Sequence, residues 1–167
     1  MILDAEILNA IGKAPIEKRA ITNLGVLNEA YEYPKPSSFS RGIRIDIGDI
    51  VILLISGTAS IDENGQSVHI GDFRAQTRRT FYNITKLLES EGATWKDVVR
   101  TTCYLRDIER DYEAFNEERT NFYREQGLDP LPASTGIQAI LCRPELLIEI
   151  EAIAMFRKTS SSRNGDN

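Results

Sequence analysis

Histidine is almost missing from this chain: His69 is the single one in 167 residues. A histidine-based metal centre is therefore not expected, nor is a Ser-His-Asp triad, because His69 falls in an apparent strand with no serine-bearing elbow. Glycine-rich phosphate loops are also lacking; Gly57 and Gly65 stand alone as turn residues, and no cofactor is expected. The two cysteines, Cys103 and Cys142, both lie in apolar runs and read as reduced core thiols rather than a disulfide framework. No apolar run approaches the ~18 residues of a membrane span. The first residues, MILDAEILNA, carry an acid where a signal peptide would carry positive charge. Basic residues are outnumbered, 20 against 25 acidic for a net charge of −5, and they are scattered, so a nucleic-acid surface is not expected. A cytoplasmic, soluble protein without membrane or nucleic-acid partners is the expectation, and the length suits one domain.

What is present is hydrophobic periodicity, strongest after residue 40. Ile43, Ile45 and Ile47 alternate with polar residues, Gly48-Asp49 turns the chain, and Ile50–Ile55 is continuously apolar. This predicts a hairpin whose second strand is buried and continues through Ser56-Gly57-Thr58 to Ile61. Glu63-Asn64-Gly65 predicts a tight turn before a short strand over residues 66–70. Asp72 then caps a helix whose face carries Phe73, Thr77, Phe81, Ile84 and Leu88, with Gly92 past its end. Thr94 to Asp97 reads as a capping box on one helical turn. Val99, Thr101, Cys103 and Leu105 alternate as a strand. A second helix runs from Asp107 to Gly127 with a stripe of Tyr112, Phe115, Phe122 and Tyr123. Arg119 falls within that stripe, where its stem can cover apolar surface or its head can meet a neighbour or ligand.

The chain closes on two more strands. Pro132 to Gly136 reads as a small hydroxyl-rich turn before a short run, Ile137 to Leu141. In the last strand, Ile148, Ile150, Ala152, Ala154 and Phe156 share one face; Glu149 and Glu151 share the other with Ile153 and Met155. That second face is only partly polar, which makes a carboxylate there a candidate for chemistry. The expected order is β-β-β-α-β-α-β-β, an α+β fold with a mixed sheet covered by two helices on one face. Ile50–Ile55 is apolar on both sides, so burial of the other face calls for further subunits. Residues 1–37 read as an N-terminal extension with little structure of its own, its first part at helical spacing (Leu3, Ile7, Leu8, Ile11). Residues 38–157 read as the folded domain and 158–167 as a disordered tail.

Ser56-Gly57 after a buried strand, the run Arg100-Thr101-Thr102-Cys103-Tyr104-Leu105-Arg106-Asp107, and Ile148-Glu149-Ile150-Glu151-Ala152-Ile153-Ala154 together resemble the Rid/YjgF (RidA-like, endoribonuclease L-PSP) family. The resemblance spans roughly Ser38 to Arg157. It implies a chorismate-mutase-like fold assembled as a homotrimeric barrel, with clefts between subunits. It also implies hydrolysis of reactive enamines or imines to 2-keto acids and ammonia. In the best-known subgroup an arginine in a Pro-Ala-Arg turn grips the substrate carboxylate, and a glutamate at the place of Glu149 positions water.

This chain departs from that pattern. Ser134 stands in place of the arginine, and the usual aromatic hydroxyl is replaced by Phe39. A serine cannot reproduce the bidentate, charge-assisted fork of a guanidinium. Either the substrate differs or another cation, Arg41 or Arg119, substitutes. The resemblance implies Glu149 as the catalytic group and Ser134, Thr135, Gly136, Ser56, Gly57 and Phe39 around the substrate; Arg41 and Arg119 join them as the candidate substitute cations. Glu151 reads as structural. Two functions stay open: a hydrolase or deaminase acting on a small enamine, imine or related unsaturated carboxylate, and a non-catalytic small-molecule-binding or regulatory trimer.

Overall fold

The structure, a computed structural model, describes residues 16–33 and 36–158. The helical spacing at Leu3 to Ile11 and the tail from Thr159 lie outside the described residues. Six strands form one sheet in the order β1-β2-β3-β6-β4-β5: β1 Ile16–Ala20, β2 Gly42–Ile47, β3 Ile50–Ala59, β4 Val98–Leu105, β5 Ala133–Gln138 and β6 Ile148–Arg157. The β4–β5 pair is parallel and the other pairs are antiparallel, so the sheet is mixed. Helices α1, Phe73–Ser90, and α2, Ile108–Glu125, complete the α+β fold.

The local signals act as their chemistry dictates. Gly48 takes φ 62° in the β2–β3 turn. Asp72 accepts from the Ala75 amide at 2.9 Å and Asp107 from the Arg110 amide at 3.0 Å, each satisfying a donor that the first helical turn leaves open. Gly92 and Gly127 follow the helices in the left-handed region. Thr94 and Asp97 form the capping box on a single 3-10 turn, Trp95–Asp97.

Period-two alternation buries Val51, Leu53 and Ile55 of β3 and Ile148, Ile150, Ala152 and Ala154 of β6. Phe81, Ile84 and Leu88 of α1 join this core. At its end Phe81 stacks on Phe122 at 4.5 Å and Trp95 meets Phe122 edge-on at 5.1 Å. The opposite side of the same strands leaves Leu54 and Met155 39% and 47% exposed.

Six expectations need correction. Residues 16–33, read as having little structure, add edge strand β1 and send Ile21, Val26, Leu27 and Ala30 into the core. Their charged, proline-flanked sequence hides this because β1 is itself exposed and draws its order from pairing with β2. The short strand expected over 66–70 is only a bridge between Ile61 and Ser67. Ser134, Thr135 and Gly136 are not a turn but the middle of β5, held by the parallel ladder to β4. Cys142 is exposed, whereas Cys103 is buried as expected. Tyr112 is exposed on α2, while Glu118 is buried where Arg74 and Arg78 neutralise it at 3.0 and 2.7 Å. Lys158, assigned to the tail, instead pairs with Asp46 at 2.9 Å. Among the described residues no helix is long and apolar enough to cross a membrane.

The N-terminal segment is packed closely enough to be tested. A β-carbon on Gly42 would stand 2.8 Å from the Leu54 carbonyl oxygen and 3.0 Å from Ile21 Cδ1. Overpacking of this kind costs about 1–3 kcal/mol. Gly42→Ala should therefore lower the melting temperature by several degrees in a thermal scan; an unchanged melting temperature would show that β3 and Ile21 both yield freely.

Candidate functional site

The site begins with a fault in the β3–β6 ladder. Ile55 pairs with Ala152 and Thr58 with Ile150, so Ser56 and Gly57 together oppose Glu151 alone. This two-against-one bulge turns β3 away from regular pairing and opens space on the sheet. Ser56 is fixed there: its Oγ donates to the Ser40 carbonyl at 2.7 Å and its amide to the Arg41 carbonyl at 3.1 Å.

Glu149 fills the room left by the missing side chain of Gly57. A β-carbon on Gly57 would overlap Glu149 Oε1 and stand 3.0 Å from Cδ. The carboxyl holds its proton more tightly than an ordinary glutamate, through burial first and the neighbouring Glu151 second. Across the ladder its partner is Tyr104, whose hydroxyl is also pushed up, by burial and then by Glu151.

Glu149 and Glu151 open onto a cavity of about 780 Å³. Phe39, Arg41, Ser56 and Gly57 line it. Ser134, Thr135, Gly136 and Arg119 do not. They form a separate group around β5, where Arg119 Nη1 and Thr101 Oγ1 each donate to Ser134 Oγ at 3.1 Å. Arg100 Nη2 donates to Thr135 Oγ1 at 3.1 Å, and the Arg119 guanidinium also lies 4.8 Å from the Phe115 ring centre. The residue standing where an arginine was expected thus already holds one as a hydrogen-bonded neighbour.

The cavity residues that escaped the sequence reading include Tyr33, Arg143 and Glu151, the last read as merely structural. Tyr33 comes from the segment thought to lack structure and lies against the Gly65 turn, where a β-carbon would stand 2.7 Å from Tyr33 Cε1. Arg143 comes from the β5–β6 loop, where no periodicity marks it. Glu151 carried a signal, since it shares the Glu149 face of a period-two strand. No group of three or more histidine, cysteine, aspartate or glutamate side chains suited to a metal occurs among the described residues. The lining combines two carboxylates, two guanidiniums, aromatic faces and small hydroxyls, which suits a small polar ligand with an anionic group.

Known proteins with similar sequences and folds agree with this architecture. The family described as endoribonuclease L-PSP matches residues 34–156. A protein of Acinetobacter baylyi named 3-aminoacrylate deaminase RutC is 37% identical over 62% of this chain and 78% of its own length. A RutC family protein of Pyrococcus abyssi is 33% identical over 72% of this chain and 89% of its own. The YjgF gene product of E. coli superposes with a TM-score of 0.66 and 26% identity, covering 83% of this chain and 99% of that one.

Proposed function

The chain belongs to the endoribonuclease L-PSP (Rid/YjgF) family, and on that premise we propose that it hydrolyses small enamine or imine carboxylates to 2-keto acids and ammonia. The observation that carries this reading is the setting of Glu149. Its carboxyl is fitted against Gly57 in a cavity wall, without an ion pair among the described residues and with a proton affinity raised by burial. A carboxylate made more basic in this way is a better general base near neutral pH. An enamine first gains a proton at carbon to become the imine. Glu149 takes a proton from a water whose oxygen bonds to the imine carbon. That proton passes to nitrogen to give the carbinolamine; the carbinol O–H proton is then taken by Glu149 and delivered to the amine, the C–N bond breaks, ammonia leaves, and the carbinol oxygen becomes the keto group. The name of the Acinetobacter relative, a deaminase acting on an enamine acid, supports the same reaction class.

The assembly belongs to the same proposal. Leu54, Ile137 and Met155 are 39%, 42% and 47% exposed, an apolar surface that a homotrimer would cover. In such a trimer the Ser134 group on β5 would complete a neighbour's cavity, as the family resemblance implies. The test is release of 2-keto acid and ammonia from imines generated in situ by an amino acid oxidase. Catalysed release above the spontaneous rate is expected from a species three times the chain mass. Saturable binding of keto acids without any acceleration would favour the non-catalytic, ligand-binding alternative.

A further inference from the structure

Arg143 shares the cavity with Glu149 and has hydrogen-bonding capacity to spare. Its loop is pinned from behind: Arg106 donates through Nη2 to the Arg143 carbonyl and through Nε to the Leu146 carbonyl, both at 2.6 Å. Its own Nη1 donates to the Gly65 carbonyl at 2.8 Å and to Ser67 Oγ at 3.1 Å. Its guanidinium carbon lies 5.0 Å from the centre of the Tyr33 ring, a cation–π distance. The head is thus oriented by three contacts that use one nitrogen and one face. Nη2 and Nε have no hydrogen-bond partner among the described residues.

Arg41 is differently placed. Nε and Nη2 both donate to the Asn28 carbonyl, Nη2 also to the Tyr33 hydroxyl, and the residue is 5% exposed. Its guanidinium carbon lies 5.1 Å from the same Tyr33 ring and 5.5 Å from that of Phe39. Arg41 is therefore largely committed to holding the N-terminal segment. The division of labour follows from donor counting: Arg41 fixes Tyr33, Tyr33 supports Arg143, and Arg143 keeps a free N–H edge.

We infer that Arg143 is the carboxylate-recognising residue of this cavity, supplying from the β5–β6 loop the guanidinium that position 134 lacks, with Tyr33 and Arg41 as positioning residues. The inference rests on the reading of this cavity as the substrate site. It also narrows the substrate class. Part of the cavity lining is apolar, which gives a substrate side chain a surface to rest against. The preferred substrates are imino or enamino acids with a sizeable apolar side chain, which Phe39, Leu27 and Leu146 would accommodate.

The test is calorimetric binding of phenylpyruvate, and of its uncharged amide, to the full chain. Arg143→Gln keeps a side-chain donor for the Gly65 carbonyl but removes the charge. It should weaken phenylpyruvate binding about tenfold to a hundredfold, the range expected for losing charge-assisted hydrogen bonds. Amide binding should stay within about twofold, and Arg143→Lys should recover part of the loss. In turnover assays the same change should raise KM more than it lowers kcat. Unchanged phenylpyruvate binding in Arg143→Gln, or a loss carried by Arg119→Gln instead, would overturn the assignment. So would wild type binding the acid no better than the amide. Arg143-dependent binding in a protein that accelerates no hydrolysis would uphold the assignment and reject the catalytic reading.

Discussion

Glu149→Gln should reduce kcat/KM by about a hundredfold to ten-thousandfold, the usual contribution of a positioned general base, while making the folded chain more stable at neutral pH. The two effects have one cause. Burial and Glu151 raise the proton affinity of Glu149 in the folded state, so ionising it favours the unfolded chain, where the carboxylate is hydrated. At pH near 4 and below, both states hold the proton and the penalty is absent. It grows as pH rises through the ordinary glutamate range and levels off once the folded-state carboxyl has ionised. Glutamine carries no such penalty. The melting temperature of Glu149→Gln should therefore match wild type in acid and exceed it at pH 7. The kcat/KM of wild type should show an acid limb above the usual carboxylate range. A variant as active as wild type would remove Glu149 from the chemistry; an acid limb at the ordinary glutamate value would contradict the desolvated setting.

Gly57→Ala should cost activity almost as severely, for a geometric reason. The atom that a new methyl would strike is the far end of a side chain, Glu149 Oε1, not backbone. Gly57 is absent from the glycines with positive φ, so alanine can adopt its backbone conformation without left-handed strain. The carboxyl must swing aside while the bulge stays in place. A displacement of about 1 Å at a catalytic group can cost about a hundredfold in rate. Gly57→Ala should thus lose about that factor with a melting temperature close to wild type. Adding it to Glu149→Gln should have little further effect, since both remove the same positioned carboxylate. A large fall in stability, or additive losses in the double variant, would show that Gly57 acts through the strand and not through Glu149.

The rules legible in the sequence were local ones. Period-two runs marked β2, β3, β4 and β6; Asp72, Asp107, Gly92 and Gly127 marked the ends of both helices, because caps and left-handed glycines act within one turn. Glu149 and the Ser56-Gly57 pair were candidates because the family resemblance carried by those runs implies a role for them. Residues 16–20 could not, since an exposed edge strand needs no apolar alternation and is ordered only by the strand beside it. Ser134 to Gly136 looked like a turn because small hydroxyl residues favour turns, yet pairing with Arg100 to Leu105 holds them extended.

The sequence by itself therefore determined the fold class and, apart from the strand expected over 66–70, the order of the elements after residue 40, which depend on spacing along one segment; Glu149 was a candidate carboxylate through its strand face and the family resemblance. Only the tertiary structure decided what surrounds that carboxylate. Tyr33, Arg41, Gly57, Arg143 and Glu149 come from five separated stretches and meet at one cavity, so no local pattern contains their arrangement. The same holds for Arg119 and Ser134, which the sequence assigned to the Glu149 site and the structure places together at β5. A strand's register and the closing of loops over a sheet, not the spacing of residues, set which charges become neighbours.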